Sequence, residues 1–105
     1  MSKSIGESIT ILNANAADVA AANSTWYSVE RADEVMLDIQ ITGTANCTIE
    51  QDLHNGNTAT FNNTYNSSNQ VVLDDPMGQI RASSNNVGVG EAVVVKMRKV
   101  FFNRR

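Results

Sequence analysis

The chain has 105 residues, 42% of them hydrophobic and 18% charged, with one cysteine, one histidine and a net charge of −3 at pH 7. That length corresponds to one domain around a single core, and the apolar content is enough to offset chain entropy, which argues against a second domain and against global disorder. With Cys47 and His54 each alone, an internal disulfide and a Cys/His transition-metal cluster are both excluded.

At the start, Glu7 and several serines interrupt the apolar residues, so no signal-peptide core follows Lys3. No apolar run reaches the roughly 20 residues needed to span a bilayer. The expectation is a chain made in the cytoplasm with no membrane partner. Four Asn-X-Ser/Thr triplets, at Asn23, Asn46, Asn62 and Asn66, then reflect a composition rich in polar residues instead of glycosylation.

Ser8–Leu12 reads as a strand, and residues 1–12 as a segment able to extend as an N-terminal arm. Asn13–Ala22 is alanine-rich but broken by Asn and Asp, which predicts a loop with at most one helical turn. Trp26–Glu30 returns to strand, with Trp26 as the expected large anchor of the core. In Val35–Thr42, Leu37, Ile39 and Ile41 alternate with Asp38, Gln40 and Thr42, the pattern of a half-buried antiparallel strand. Gly43-Thr44 turns the chain into Ala45–Glu50, where Ala45, Cys47 and Ile49 share one face; the two segments read as a hairpin. Cys47 is accordingly a core residue and not a nucleophile.

His54–Asn57 carries the Asn-Gly turn signature, which makes His54 a turn residue and predicts a return strand from Thr58 to Tyr65. Asn66–Asn69 breaks it. A short strand, Gln70–Leu73, ends at Asp74-Asp75-Pro76, where proline removes a ladder donor. Gln79–Ser83 follows with Ile80 and Ala82 on one face, and Glu91–Arg98 is the last strong strand, with Val93, Val95 and Met97 inward. Val94 breaks the alternation and marks either a second covered layer or a contact between subunits. Seven or eight short strands predict an all-β, single antiparallel β-sandwich, jelly-roll-like or Greek-key.

Charge is distributed unevenly. Five of the eight basic residues, Lys96, Arg98, Lys99, Arg104 and Arg105, fall in the last ten positions, leaving three basic against eleven acidic residues before them. The body is therefore acidic, and residues 99–105 form a basic, aromatic C-terminal tail containing Phe101 and Phe102. Opposite signs on one small domain suit contact between copies. The tail offers phosphate and stacking contacts, yet the acidic body repels nucleic acid.

No catalytic motif emerges. The acids form no spaced pair of the kind glycoside hydrolysis needs, and Gly88-Val89-Gly90 precedes a strand where a phosphate-binding loop would precede a helix. An EF-hand calcium pattern is missing. The expectation is a protein that is not an enzyme and uses no cofactor or metal.

The succession Ile11-Leu-Asn-Ala14, Met36–Gly43, Thr48-Ile-Glu50, Val72-Leu-Asp74 with Pro76, Ile80-Arg-Ala82 and the final Val-rich strand resembles small β-sandwich proteins of tailed-phage virions. Those proteins are capsid decoration (cement) or neck and tail components. The resemblance implies a non-enzymatic virion structural protein, homo-oligomeric, with a trimer as one expected form, whose partners are the major capsid protein or other virion proteins. The contact residues expected on this reading are Val94, Lys96, Arg98, Val100, Phe101, Phe102, Arg104 and Arg105. The alternative is a carbohydrate-binding module with Trp26, Tyr27, Phe61 and Tyr65 as an aromatic platform and Asn62, Asn63, Asn66 and Asn69 as hydrogen-bonding groups.

Overall fold

The computed structural model describes residues 3–15, 22–24, 26–52, 61–74, 76 and 78–102. Ten strands run in chain order: β1 (Lys3–Ile5), β2 (Ile9–Asn15), β3 (Ala22–Asn23), β4 (Tyr27–Ser28), β5 (Glu34–Thr42), β6 (Asn46–Asp52), β7 (Phe61–Tyr65), β8 (Asn69–Asp74), β9 (Gln79–Asn85) and β10 (Ala92–Phe102). They form two antiparallel sheets. One has the order β1-β10-β5-β8, with β2 also on β10, and the other the order β3-β9-β6-β7, with β4 also on β9.

In each sheet the two extra segments share one lane. β1 pairs with Val100–Phe102 and β2 with Ala92–Met97 along the edge of β10 that β5 leaves free. Likewise β3 pairs with Ser83 and Ser84 of β9, and β4 with Gln79 and Ile80. Between them, Ser24 continues the lane: its N–H donates to Ala82 C=O at 2.8 Å and its hydroxyl accepts from Ala82 N–H at 3.0 Å. Counted as lanes, the first lies beside the eighth, the eighth beside the third and the third beside the sixth, while the other sheet reads second, seventh, fourth, fifth. This is the eight-strand jelly-roll order, two interlocked Greek keys. The single antiparallel β-sandwich expected from periodicity is therefore what the chain forms.

The core lies between the sheets. Leu37 and Ile39 of β5 and Val93, Val95 and Met97 of β10 face Cys47 and Ile49 of β6 and Ile80 and Ala82 of β9, all essentially without solvent exposure. Period-two burial along β5, β6, β9 and β10 explains this directly. In β2 the register slips, since Leu12 pairs with Val95 while Thr10 pairs with Lys96. Ile11 is the extra residue of a β-bulge, which is how the adjacent Ile11 and Leu12 are both buried.

Four sequence expectations change. Val35–Thr42 and Ala45–Glu50 are not a hairpin: β5 pairs with β10 and β8, whereas β6 pairs with β7 and β9. Alternation marks a buried face but not the sheet that owns it, and Gly43, at φ 89°, carries the chain across the sandwich. Residues 3–12 are not an extended arm, because β1 and β2 are hydrogen-bonded to β10. Nor do Lys99–Phe102 form a tail. They complete β10, and Asp33 fixes that end by donating its N–H to Val100 C=O (2.9 Å) and accepting the N–H of Phe102 on its carboxylate (2.6 Å). Finally, Trp26 does not anchor the core; it is half-buried outside it. Of the predicted Asn13–Ala22 loop, residues 13–15 belong to β2 and 16–21 lie outside the described residues, as do His54 and its turn.

The β5–β6 crossing is tied to the β9–β10 crossing by one side chain. The Glu91 carboxylate accepts the Thr44 N–H at 2.6 Å, the Thr44 hydroxyl at 3.0 Å and the Gly88 N–H at 2.7 Å. A Cβ at Gly43 would run into this carboxylate. The Thr44 N–H, then the Gly88 N–H and the Thr44 hydroxyl, favour the ionised form and hold the Glu91 carboxyl below its ordinary value.

Two outcomes follow for stability. Ile39→Ala, at a site with 0% exposure, is expected to cost about 3 kcal/mol in chemical denaturation, because a wholly enclosed side chain leaves a cavity. Glu91 contributes stability above the ordinary carboxylate value of 4.5 and loses it as pH falls through the lowered native value. The melting-temperature gap between wild type and Glu91→Gln should therefore be positive at neutral pH and close in acid; a gap independent of pH would show that ionised Glu91 does not hold the corner.

Candidate interaction surface on the outer face of the β10 sheet

The outer faces of the two sheets differ in chemistry. On the β9 sheet the polar groups satisfy one another. Thr48 and Thr64 share a hydroxyl hydrogen bond at 3.0 Å, and Arg81 is held by Glu50 through Nε at 2.8 Å and a second nitrogen at 3.4 Å. The Arg81 guanidinium lies 4.6 Å from the centre of the Trp26 ring, so one face of the indole is occupied from within the chain.

The outer face of the β10 sheet is assembled from β8, β5 and β10. Register places Val72 beside Met36 and Met36 beside Arg98; in the next row Gln70 lies beside Asp38 and Asp38 beside Lys96. Val72, on the edge strand, is 52% exposed and Met36, on the central strand beside it, 39%. Lys96 and Arg98 are exposed, and Val94 is half-buried on the same face. Ser8, Met36, Asp38, Val72, Lys96 and Arg98 are among the residues that line a shallow open depression of about 550 Å³. Val72 and Met36 make one row of it apolar up to Arg98, and Gln70 and Asp38 make the next row polar up to Lys96; it is suited to covering by another surface and offers no enclosed pocket for a small substrate.

Apolar residues are exposed at the end of the sheet as well. Ile5 is 53% exposed on the side that holds the Lys3–Glu34 ion pair at 3.6 Å and the Lys3 ammonium 5.4 Å from the Phe102 ring, while Phe101, 37% exposed, points to the opposite side.

The contact residues expected from sequence are thus divided. Lys96, Arg98 and Val94 share the outer face, Phe101 is exposed at the end of β10, and Phe102 is half-buried beside Lys3. Val100 is 1% exposed and takes no part in a surface. Arg104 and Arg105 lie outside the described residues. Met36, Val72 and Ile5 were not anticipated. Met36 had a signal: it stands on the polar side of the Leu37-Ile39-Ile41 alternation.

Of the expected aromatic platform, the three members with described side chains do not share a face. Tyr27 and Tyr65 pack against the core, whereas Trp26 is stacked with Arg81 on the outer side of the β9 sheet. The Tyr65 hydroxyl accepts from Asn63 Nδ2 at 3.3 Å, and Asn66 and Asn69 are exposed at the β7–β8 crossing. The side chains of Phe61 and Asn62 lie outside the described residues.

Among the described residues no group of three or more His, Cys, Asp or Glu side chains is placed to hold a metal. The Cys47 thiol is pushed up to about 12 by burial, which keeps it protonated and unreactive. No protein-family model, no curated protein and no solved structure matches this chain.

Trp26 provides a direct optical test of the β9 face. Arg81→Ala uncovers one side of the indole, so emission should move to longer wavelength and acrylamide quenching should rise; unchanged quenching would mean that the ring is shielded by something other than Arg81.

Proposed function

We propose that this protein is a non-enzymatic structural component of a virion, which decorates and stabilises a phage capsid by laying the outer face of its β10 sheet on neighbouring protein. The observation that carries the reading is that face: Met36 and Val72 exposed beside Lys96 and Arg98, on a sheet whose opposite side is already fully used by the core. Apolar area supplies contact energy of roughly 1.5–3 kcal/mol for each large side chain fully covered. The two cations select an acidic surface and speed its encounter. The jelly-roll order adds support at the level of fold analogy, since capsid domains use it, although lectin domains and cupins use it as well.

The carbohydrate-binding alternative has less behind it. Of its aromatics, Tyr27 and Tyr65 are turned to the core and Trp26 is not, and the indole surface a sugar would stack on carries Arg81.

Density-gradient fractionation of lysate particles, probed with an antibody to this chain, checks the proposal. The wild type should co-band with particles, and a Lys96→Glu/Arg98→Glu double variant should remain folded but shift to the soluble fractions. Wild-type protein found only in the soluble fractions would overturn the virion reading.

A further inference from the structure

Among the described residues, the β10 sheet ends in a strand paired on one side only. β8 is the last strand of its order and pairs only with β5 among the described residues. The direction of its backbone groups follows from the crossing that precedes it. Ile41 N–H donates to Ser68 Oγ at 2.9 Å, and Ser68 Oγ donates to Ile41 C=O at 3.3 Å. Odd-numbered residues of β5 therefore turn their backbone groups toward β8, and their partners Asn69, Val71 and Leu73 turn theirs back. Gln70, Val72 and Asp74 point N–H and C=O away from the sheet. Gln70 N–H is met locally by Asn69 Oδ1 at 2.9 Å.

Edge strands in monomeric proteins are commonly blunted by lysine, proline, bulges or shortness. The opposite edge of this sheet shows such devices: Lys3 in β1, an interruption between β1 and β2, and the bulge at Ile11. The β3–β4 lane is two segments of two residues each. β7 presents Asn63 and Thr64 where β8 presents Val71 and Val72. β8 alone is an uninterrupted six-residue edge with an apolar centre and Asp74 as its only charge.

We infer that β8 pairs antiparallel with β8 of a second copy, with Val72 facing Val72 across a two-fold axis, so that the two β10 sheets join into one. This register sets Gln70 opposite Asp74 of the other copy, so no like charges meet. It also makes the outer face continuous. Met36 and Val72 of one copy run into Val72 and Met36 of the other, so that two short apolar strips become one across the axis. A two-fold axis makes the contact self-complementary and closed, which limits assembly to a dimer at this edge. The inference concerns the isolated chain and stands independently of particle binding.

Sedimentation velocity over a wide concentration range, with variants at the axis, provides the test. Wild type should show a monomer–dimer equilibrium. Val72→Lys, at an exposed position where the fold itself should survive, places two ammonium groups face to face and should weaken association by about a hundredfold. Far-UV circular dichroism and the melting temperature confirm that this variant is folded. As a positive test, Val72→Cys should form a disulfide-linked dimer under mild oxidation, since directly opposed hydrogen-bonded residues have a Cα separation of about 5.5 Å, within disulfide range. The buried Cys47 does not compete. A wild type that is monomeric at its highest soluble concentration, or a dimer that Val72→Lys leaves intact and Val72→Cys fails to link, would overturn the inference. Either result would leave the particle fractionation to judge the virion reading separately.

Discussion

The sandwich depends on holding together chain crossings that are far apart in sequence, and the Glu91 carboxylate does this at one corner. Its hydrogen bonds reach Thr44, 47 residues away, and Gly88, three residues away. They join the place where the chain leaves β5 for β6 to the place where it leaves β9 for β10. Those four strands are the central lanes of the two sheets and carry most of the core. Because the interaction is a charged acceptor with three donors, it is stronger than a neutral turn hydrogen bond of the same geometry. Gly43 is bound to the arrangement twice over, through its positive φ and through the space the carboxylate occupies.

That corner also shows what a one-dimensional reading of the chain captures and what it leaves open. Burial along β5, β6, β9 and β10 follows from alternation alone, since side chains on a strand have a strict period of two. Sheet membership does not. A Gly-Thr turn between two alternating segments is compatible with a hairpin in one sheet or with a crossing between two, and the deciding contact comes from Glu91, which no local window contains. The same limitation affects the ends. Lys3–Ile5 and Val100–Phe102 are neighbours in a ladder though nearly the whole chain separates them, so each looks like a free terminus when read by itself.

Trp26 illustrates a different limit. Size and apolar character favour burial, but the residue precedes β4 at a position facing away from the core, and Arg81 supplies a planar cation to cover it. The decisive factor is pairwise: β9 places Arg81 outward, β6 places Glu50 beside it, and the ion pair orients the guanidinium onto the ring. Aromatic content alone could not separate a sugar platform from this stack. The cationic part of the interaction surface was easier to find, since Lys96 and Arg98 fall on the polar side of a clearly alternating strand. Its apolar half was harder, because Met36 and Val72 acquire meaning only when register sets them side by side.

The division of labour between the sheets follows from these pairings. A central strand such as β10 has both ladders filled, so its outward side chains can contribute only by what they present, and Lys96 and Arg98 present charge. An edge strand such as β8 has a ladder to offer as well as side chains. The two contributions adjoin, because β5 between them carries Met36 into contact with both rows. A partner approaching over β10 meets charge first and apolar surface second, whereas one approaching along β8 meets backbone donors and acceptors beside Val72. The sheet can therefore use its edge for one association and its face for another, with Met36 common to both. Occupying the edge would enlarge the apolar part of the face, so that self-association and docking reinforce each other without any change in the fold.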